Sequence, residues 1–170
     1  KTIEYDREKK TQTIEEPADP LVFERARTGT SSPGFDAAKV GEEIPKLHKG
    51  TYTVSELFLF THGVVGTDRV PRQYLESEGS TDLGGGGRFD EEHAKNRRNM
   101  PGQFDWGPQR VCWLCQIATD WAGDDATIKR MDTRVRHPNV VGDTNTVYGK
   151  IAKQYEENGE KLVDLSVWNE

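Results

Sequence analysis

One segment limits the possible folds more than any other: the run from Gly107 to Ala122, which predicts a helix with apolar side chains on most of its circumference. Pro108 stands in the first turn, where proline is tolerated, and Gly123 follows at the position that favours a positive φ. The apolar side chains lie on two sides, with Val111, Leu114, Cys115 and Ala118 on one and Trp113, Ile117 and Trp121 on the other. Such a helix is expected to be buried, so the rest of the chain has to surround it.

A strand and a short helix are expected near the start of the globular part. Residues 44–52 predict an extended segment, and Thr53 and Glu56 then have the spacing of a capping box. The helix would end within residues 63–66, and His62 would cap its last turn, where the helix dipole favours a cation.

The last third of the chain predicts three strands. Alternating side chains indicate a strand over residues 131–135, which Pro138 ends. Two longer strands, residues 144–155 and 162–168, are joined across Asn158-Gly159, a sequence that tolerates positive φ in a hairpin turn. Together with the central helix, this order predicts an α+β fold in which an antiparallel sheet wraps round a buried helix.

Two parts of the chain lack the regular spacing of apolar side chains that indicates a helix or a strand. Residues 1–34 are charged and contain prolines, and we interpret them as a polar N-terminal arm or linker before a globular domain over residues 35–170. Inside that domain, the stretch up to Met100 contains the unbroken run Gly84–Gly87 and many charges. A long, partly mobile excursion is expected there.

Charge and hydropathy exclude several classes of function. The formal net charge is −6, from 23 Lys and Arg against 29 Asp and Glu, which argues against a nucleic-acid partner. No apolar run approaches the roughly 20 residues that span a bilayer. No charged-then-apolar leader opens the chain, so we expect no membrane contact and a cytoplasmic protein.

Cysteine and histidine usage gives no sign of a metal. The chain has two cysteines, Cys112 and Cys115, which suits a reducing compartment. Because both lie inside the apolar helix and no second CxxC pair follows, we expect buried, reduced thiols without zinc. The four histidines are scattered and no HExxH motif occurs, so no metal site is predicted.

The segment FDWGPQR, residues 104–110, carries the residues best suited to chemistry. Asp105 stands at the start of the central helix, where backbone amides point outward and the dipole favours negative charge. Arg110 follows five residues later. Burial would raise the pKa of the Asp105 carboxyl and let it exchange protons, whereas the simpler alternatives are a helix cap for Asp105 and a surface ion pair for Arg110.

Three motifs, in this order, resemble the MaoC-like dehydratase family, and more closely its two-hot-dog acyl-CoA dehydratase branch: FDWGPQRVCWL, TDWAGDD and RHPNVVGDT. The resemblance covers about residues 35–170 and implies a hot-dog fold. Hydratases of the family have an Asp, then Asn-Pro, then a His, and the Asp and His activate water for addition to an enoyl thioester. Here Asp105 matches the Asp, Gly107 stands at the Asn, Pro108 matches the Pro and Arg110 stands at the His.

The arginine at the histidine position leaves two interpretations open. Arginine keeps its proton at neutral pH and cannot act as a base, although it can donate to a thioester carbonyl or hold a carboxylated substrate. In the first interpretation the chain is an enoyl-CoA hydratase/3-hydroxyacyl-CoA dehydratase with Asp105 as acid and base. In the second it is a noncatalytic hot-dog subunit of a heteromeric MaoC-like hydratase whose partner carries the Asp/His pair. A thioesterase shares the fold but fits the motifs less well.

The resemblance and the motifs together predict the site. The catalytic candidates are Asp105, Arg110 and Gly107, with a backbone amide near Gly107 facing the substrate. The substrate-binding candidates are Trp106, Gln109, Arg134, Arg136, Gly142 and Asp143. The two arginines continue a positive strip from Lys129 and Arg130 that suits the phosphates of coenzyme A, and the simpler alternative is a solvated strand face. No cofactor is expected beyond coenzyme A as part of an acyl-CoA substrate. Because the chain ends at a strand with an unpaired edge, a homo- or hetero-oligomer with another hot-dog subunit is expected.

Overall fold

The computed structural model describes residues 3–6, 11–14, 20–24, 27–65 and 88–170. Two short strands, β1 (Ile3–Asp6) and β2 (Thr11–Ile14), pair antiparallel within the N-terminal arm, where the sequence shows no sustained period. The boundary between residues 34 and 35 stays a prediction. The run Gly84–Gly87, around which a mobile excursion was predicted, lies outside the described residues.

The main sheet has three antiparallel strands in the order β3-β4-β5: β3 (Glu43–Thr51), β4 (Thr144–Glu157) and β5 (Glu160–Asn169). All three were predicted, with bounds that differ by a few residues. The hairpin between β4 and β5 turns at Asn158 and Gly159, whose φ angles are 52° and 79°. This confirms the predicted turn, because both residues adopt the left-handed region at little cost.

The register of the sheet sends one set of side chains towards the core. In β4, Asn145, Val147, Gly149 and Ile151 are buried at alternate positions, as a strand with one covered face requires. In β3, Ile44 and Leu47 are both buried although they are three residues apart, because a bulge between them adds one residue to that strand. Pro45 lies in this bulge, where its missing N–H leaves no ladder position unpaired.

Two short helices follow β3 along the chain. Helix α1 (Val54–Phe60) starts with the predicted capping box, in which Thr53 Oγ1 accepts from the Glu56 amide at 3.1 Å, and it continues into one π-helical turn, Thr61–Val65. His62 lies in that turn with its Nδ1 2.9 Å from the Phe58 carbonyl oxygen, which confirms its capping position. Helix α2 (Glu91–Arg98) was not predicted.

Helix α3 (Gly107–Ala122) has the bounds that the sequence predicts and lies against β3, β4 and β5. Its burial differs from the prediction, because the fully covered residues form one stripe at helical spacing: Gln109, Trp113, Ile117 and Asp120. The remaining apolar side chains are only half-buried, and Cys112 is exposed. The expectation of a helix buried on most sides, with two buried thiols, is therefore wrong for this single chain.

The strand predicted through Met131, Thr133 and Val135 does not form among the described residues. Residues 126–136 run without a ladder partner, and most of their side chains are exposed. The alternation of side chains gives an extended segment, but a strand also needs a ladder partner, and this segment lies against the start of α3 instead of joining the sheet β3-β4-β5.

The core joins one face of the sheet to α3 and α1, and its largest fully buried side chains include Tyr52, Leu57, Ile117 and Ile151. A helix packed on an antiparallel sheet confirms the predicted fold class in outline. The three described strands do not close round the helix, so complete wrapping is not confirmed. No helix in the described part of the chain is long and apolar enough to cross a bilayer.

Candidate functional site

Asp105 is fixed by backbone bonds just before α3 begins. Its amide donates to the Asn139 carbonyl oxygen at 2.9 Å, and its own carbonyl oxygen accepts from Arg88 Nε at 3.2 Å. The cap residue of α3 is Trp106, which makes no side-chain capping bond. Asp105 is therefore not the helix cap that the simpler interpretation would make it, and its carboxyl is available for other contacts.

Asp105 and Arg110 form a buried ion pair, with Arg110 Nε 2.8 Å from Asp105 Oδ2. The Asp105 side chain has no exposed surface and that of Arg110 is 12 % exposed. The contact places a positive charge at hydrogen-bonding distance from the buried carboxylate. A second nitrogen of Arg110, Nη1, donates to the His137 carbonyl oxygen.

The environment of Asp105 changes its acidity. Burial raises the pKa of the carboxyl above its ordinary value, and the positive charge of Arg110 offsets this only in part. The Asn139 backbone amide and the Arg110 side chain also donate hydrogen bonds to the carboxyl, which lower its pKa but by less than burial raises it. A carboxyl in this state is a better proton acceptor than an exposed aspartate, which is the property a general base requires.

Tyr52 follows β3, and its hydrogen bonds connect the end of that strand to the start of α3 and to the corner at residues 142–143. Its hydroxyl donates to Gln109 Oε1 at 2.7 Å, and burial followed by the nearby Asp105 charge raises the pKa of Tyr52. Its amide donates to the Asp143 carbonyl oxygen at 2.7 Å, and its carbonyl oxygen accepts from the Gly142 amide at 2.9 Å. Gly142 and Asp143 thus hold the corner beside the site, while their predicted contact with substrate stays a prediction.

Arg88 and Trp106 form a second layer over the start of α3. The Arg88 guanidinium carbon lies 3.7 Å from the centre of the Trp106 ring, and Trp106 Nε1 donates to Thr61 Oγ1 at 2.8 Å. Sequence reasoning predicted Trp106 but missed Arg88, Tyr52 and Thr61. No periodic pattern points to them, because each reaches the site from a different element.

Gly107 lies beneath the extended segment that was predicted as a strand. A Cβ at Gly107 would be 3.3 Å from Val135 Cγ1, so the glycine permits this close approach. Arg134 and Arg136 flank Val135 in the chain and are exposed. The structure therefore brings this segment to the start of α3, while the roles of the two arginines and of the Gly107 amide stay predictions.

The remaining candidates behave as ordinary structural groups. Among the residues that the structure describes, no three His, Cys, Asp or Glu side chains come close enough to hold a metal ion. Cys115 Sγ contacts Met131 Sδ at 3.0 Å, and burial raises the pKa of its thiol. Lys129 and Arg130 of the positive strip pair with Glu160 and Asp132 on the surface.

Comparison with known proteins identifies the fold. No family model matches the chain, and no curated protein matches it by sequence. Among solved structures, the fold is similar to that of a MaoC-like dehydratase, with a TM-score of 0.56 and 20% sequence identity. The match covers 83% of this chain and 42% of the other, so the chain spans less than half of that protein. The predicted resemblance is thereby confirmed at the level of the fold.

Proposed function

We propose that this chain binds acyl-CoA thioesters and works as an enoyl-CoA hydratase/3-hydroxyacyl-CoA dehydratase, with Asp105 as acid and base. The observation that carries the proposal is the state of the Asp105 carboxyl, which is fully buried at a helix start and has a raised pKa although the Arg110 cation lies 2.8 Å away. Burying a carboxylate in this way is unfavourable, so such a group is typical of a site that selection maintains for chemistry. Similarity to the fold of a MaoC-like dehydratase supports the choice of reaction class.

The proposed reaction uses one carboxyl group, which takes up a proton and releases it again within each cycle. In hydration, the Asp105 carboxylate takes a proton from water while the water oxygen bonds to C3 of the enoyl thioester. The electron pair of the double bond moves through C2 to the thioester oxygen, and Asp105 then returns the proton to C2. The Arg110 cation and the Gly107 amide would stabilise the negative charge on the thioester oxygen. Dehydration is the same sequence reversed.

A matched pair of variants tests this proposal. We expect Asp105→Asn to lower the hydration of a short enoyl-CoA by about 10²- to 10⁴-fold, because the amide cannot accept the proton. Asp124→Asn makes the same change at an exposed position beyond the other end of α3 and should keep full activity. The measurement is the loss of absorbance of the conjugated thioester. Equal activity of both variants and the unmodified chain would exclude Asp105 as the base.

The second candidate function is that of a noncatalytic hot-dog subunit in a heteromeric hydratase. The observation in its favour is that Arg110, at the histidine position, is held on both sides by Asp105 and the His137 carbonyl oxygen. In this case the chain alone is inactive and activity appears only with a partner that carries the Asp/His pair. Asp105→Asn in such a complex would then leave the rate of hydration unchanged.

We also propose that the functional unit contains a second hot-dog fold. An open groove of about 1090 Å³ lies between α3, β5 and the extended segment. Half-buried apolar side chains line it: Leu114, Trp121, Val163, Leu165 and Val167. Light scattering should give a mass above the 19.2 kDa of one chain, and an active monomer would contradict this assembly.

The two free thiols fit a reducing, cytoplasmic location.

A further inference from the structure

Three sulfur-bearing side chains lie close together outside the buried stripe of α3. Cys115 Sγ lies 3.0 Å from Met131 Sδ in the extended segment. Cys112 stands three residues before Cys115 in the same helix, a spacing at which side chains are neighbours on the helix surface. Burial and then the nearby Cys112 thiol raise the pKa of Cys115. Each side chain taken singly is an ordinary structural group, but the three form one cluster of sulfur atoms.

The course of the extended segment holds Met131 at this position. Its residue Val135 lies over the start of α3, where Val135 Cγ1 would be 3.3 Å from a Cβ at Gly107, and Met131 lies over Cys115. Four residues of extended chain and eight residues of helix both span about 12–13 Å. The segment therefore follows α3 in the opposite direction from one contact to the other, and this path keeps the thioether beside the thiols.

The types of ligand define which metal ion this cluster suits. Thiolate and thioether sulfurs are soft ligands, which select Cu(I). A structural zinc ion takes four ligands, and in the part of the chain that the structure describes no three His, Cys, Asp or Glu side chains come together. Cys112 is exposed while Cys115 and Met131 are partly buried, so an ion can reach the cluster from solvent.

We propose that Cys112, Cys115 and Met131 bind a single Cu(I) ion, with two thiolates and one thioether as its ligands. Both thiols release their protons to the solvent as the ion binds, and no electron is transferred. The sequence alone does not indicate this site, because its third ligand comes from a segment outside the helix. The proposal does not depend on the hydratase function.

Titration of the full chain with Cu(I) in the absence of oxygen, in competition with a coloured Cu(I) chelator, tests the thiolates. We expect one ion per chain, and we expect Cys115→Ser to lower the affinity at least about 100-fold, because a hydroxyl is a hard and weakly acidic ligand. Binding by Cys115→Ser as tight as that of the unmodified chain would overturn the proposal.

The two methionines of the chain provide a matched pair of variants that tests the third ligand. We expect Met131→Leu to lower the affinity for Cu(I) about 10-fold and Met100→Leu to leave it unchanged, because leucine keeps the apolar volume but has no sulfur. X-ray absorption should give three sulfur neighbours of copper in the unmodified chain and two in Met131→Leu. Equal affinities of the two variants, or two sulfur neighbours in the unmodified chain, would contradict the three-sulfur site.

Discussion

The two ends of α3 carry the same kind of ion pair in opposite environments. At its start, Asp105 and Arg110 lie 2.8 Å apart with side chains 0 % and 12 % exposed. Near its end, Arg27 and Asp124 lie 3.1 Å apart with side chains 57 % and 48 % exposed, and they share a directed hydrogen bond. The exposed pair is well solvated and replaceable, whereas the buried pair keeps two charges out of water at a cost that packing alone does not explain.

The two ends of α3 also differ in how the helix is capped. At the end of α3, Gly123 adopts a φ of 83°, and the Asp124 amide donates to the Gly29 carbonyl oxygen at 2.8 Å. At the start, no side chain caps the helix, and the polar groups collect round Asp105 instead. The C-terminal end of α3 is therefore capped by backbone hydrogen bonds, whereas no side chain caps its N-terminal end, where helix amides can bind a ligand.

The largest expected effect comes from breaking the buried pair. Arg110→Met keeps much of the side-chain volume but leaves the Asp105 carboxylate without its counter-charge, so the free energy of unfolding should fall by about 3–5 kcal/mol. Urea denaturation measures the change. The double variant Asp105→Asn/Arg110→Met should recover most of the loss, and a loss that persists in the double variant would show that packing dominates over charge.

The variant Gly123→Ala tests the C-terminal end of α3. A Cβ there would lie 2.7 Å from the Gly29 carbonyl oxygen, and the positive φ adds strain, so we expect a loss of about 1–3 kcal/mol. Gly29→Ala is the control, because its φ is 59° but no atom lies within 4 Å of the added Cβ. Equal thermal stability of the two variants would mean that the contact relaxes freely.

The dependence of stability on pH sharpens the comparison at the start of the helix. Burial raises the pKa of Asp105 above its ordinary value of 3.8, so the native state binds this proton more tightly than the unfolded chain does. Relative to Asp105→Asn, the unmodified chain should therefore lose stability as pH rises from the ordinary pKa through the raised one, with a slope of at most about 1.4 kcal/mol per pH unit. Denaturation curves of both proteins from about pH 4 to about pH 8 measure the difference. A stability advantage of the unmodified chain that grows with pH would show that the Arg110 charge outweighs burial.

The smallest effect is expected at the exposed pair. Arg27→Met makes the same substitution as Arg110→Met but removes a solvated contact, so the free energy of unfolding should change by less than about 1 kcal/mol. The same urea titrations provide the measurement. A loss as large as that of Arg110→Met would remove the distinction between the two ends.

Local signals in the sequence were enough to locate α3 and the hairpin. Pro108, Gly123 and Asn158-Gly159 fix the backbone where they stand, so their effect is independent of distant residues. Helix α2 was missed because its eight residues are mostly charged, and its burial of His93 and Ala94 depends on tertiary contacts. The wrongly predicted strand has the right alternation, but its residues lie against the start of α3 and pair with neither outer strand of the sheet.

The site was predicted only in part for a similar reason. Asp105 and Arg110 were found because they are close in sequence and flank a helix start, and the structure brings them together. Their depth of burial and the contribution of Asn139 depend on the corner after the extended segment, far along the chain. Tyr52 reaches Gln109 across 57 residues, a separation at which no pattern of spacing carries information.

The buried pair also restricts how this sequence can drift over generations. A substitution at Asp105 alone leaves a cation enclosed, and one at Arg110 alone leaves an anion enclosed, so each single step passes through an intermediate with a lower free energy of unfolding. Only coordinated changes at both positions avoid that intermediate, and such double changes arise far less often than single ones. These two positions are thus expected to remain a linked unit in descendants of this chain, whichever function the unit serves.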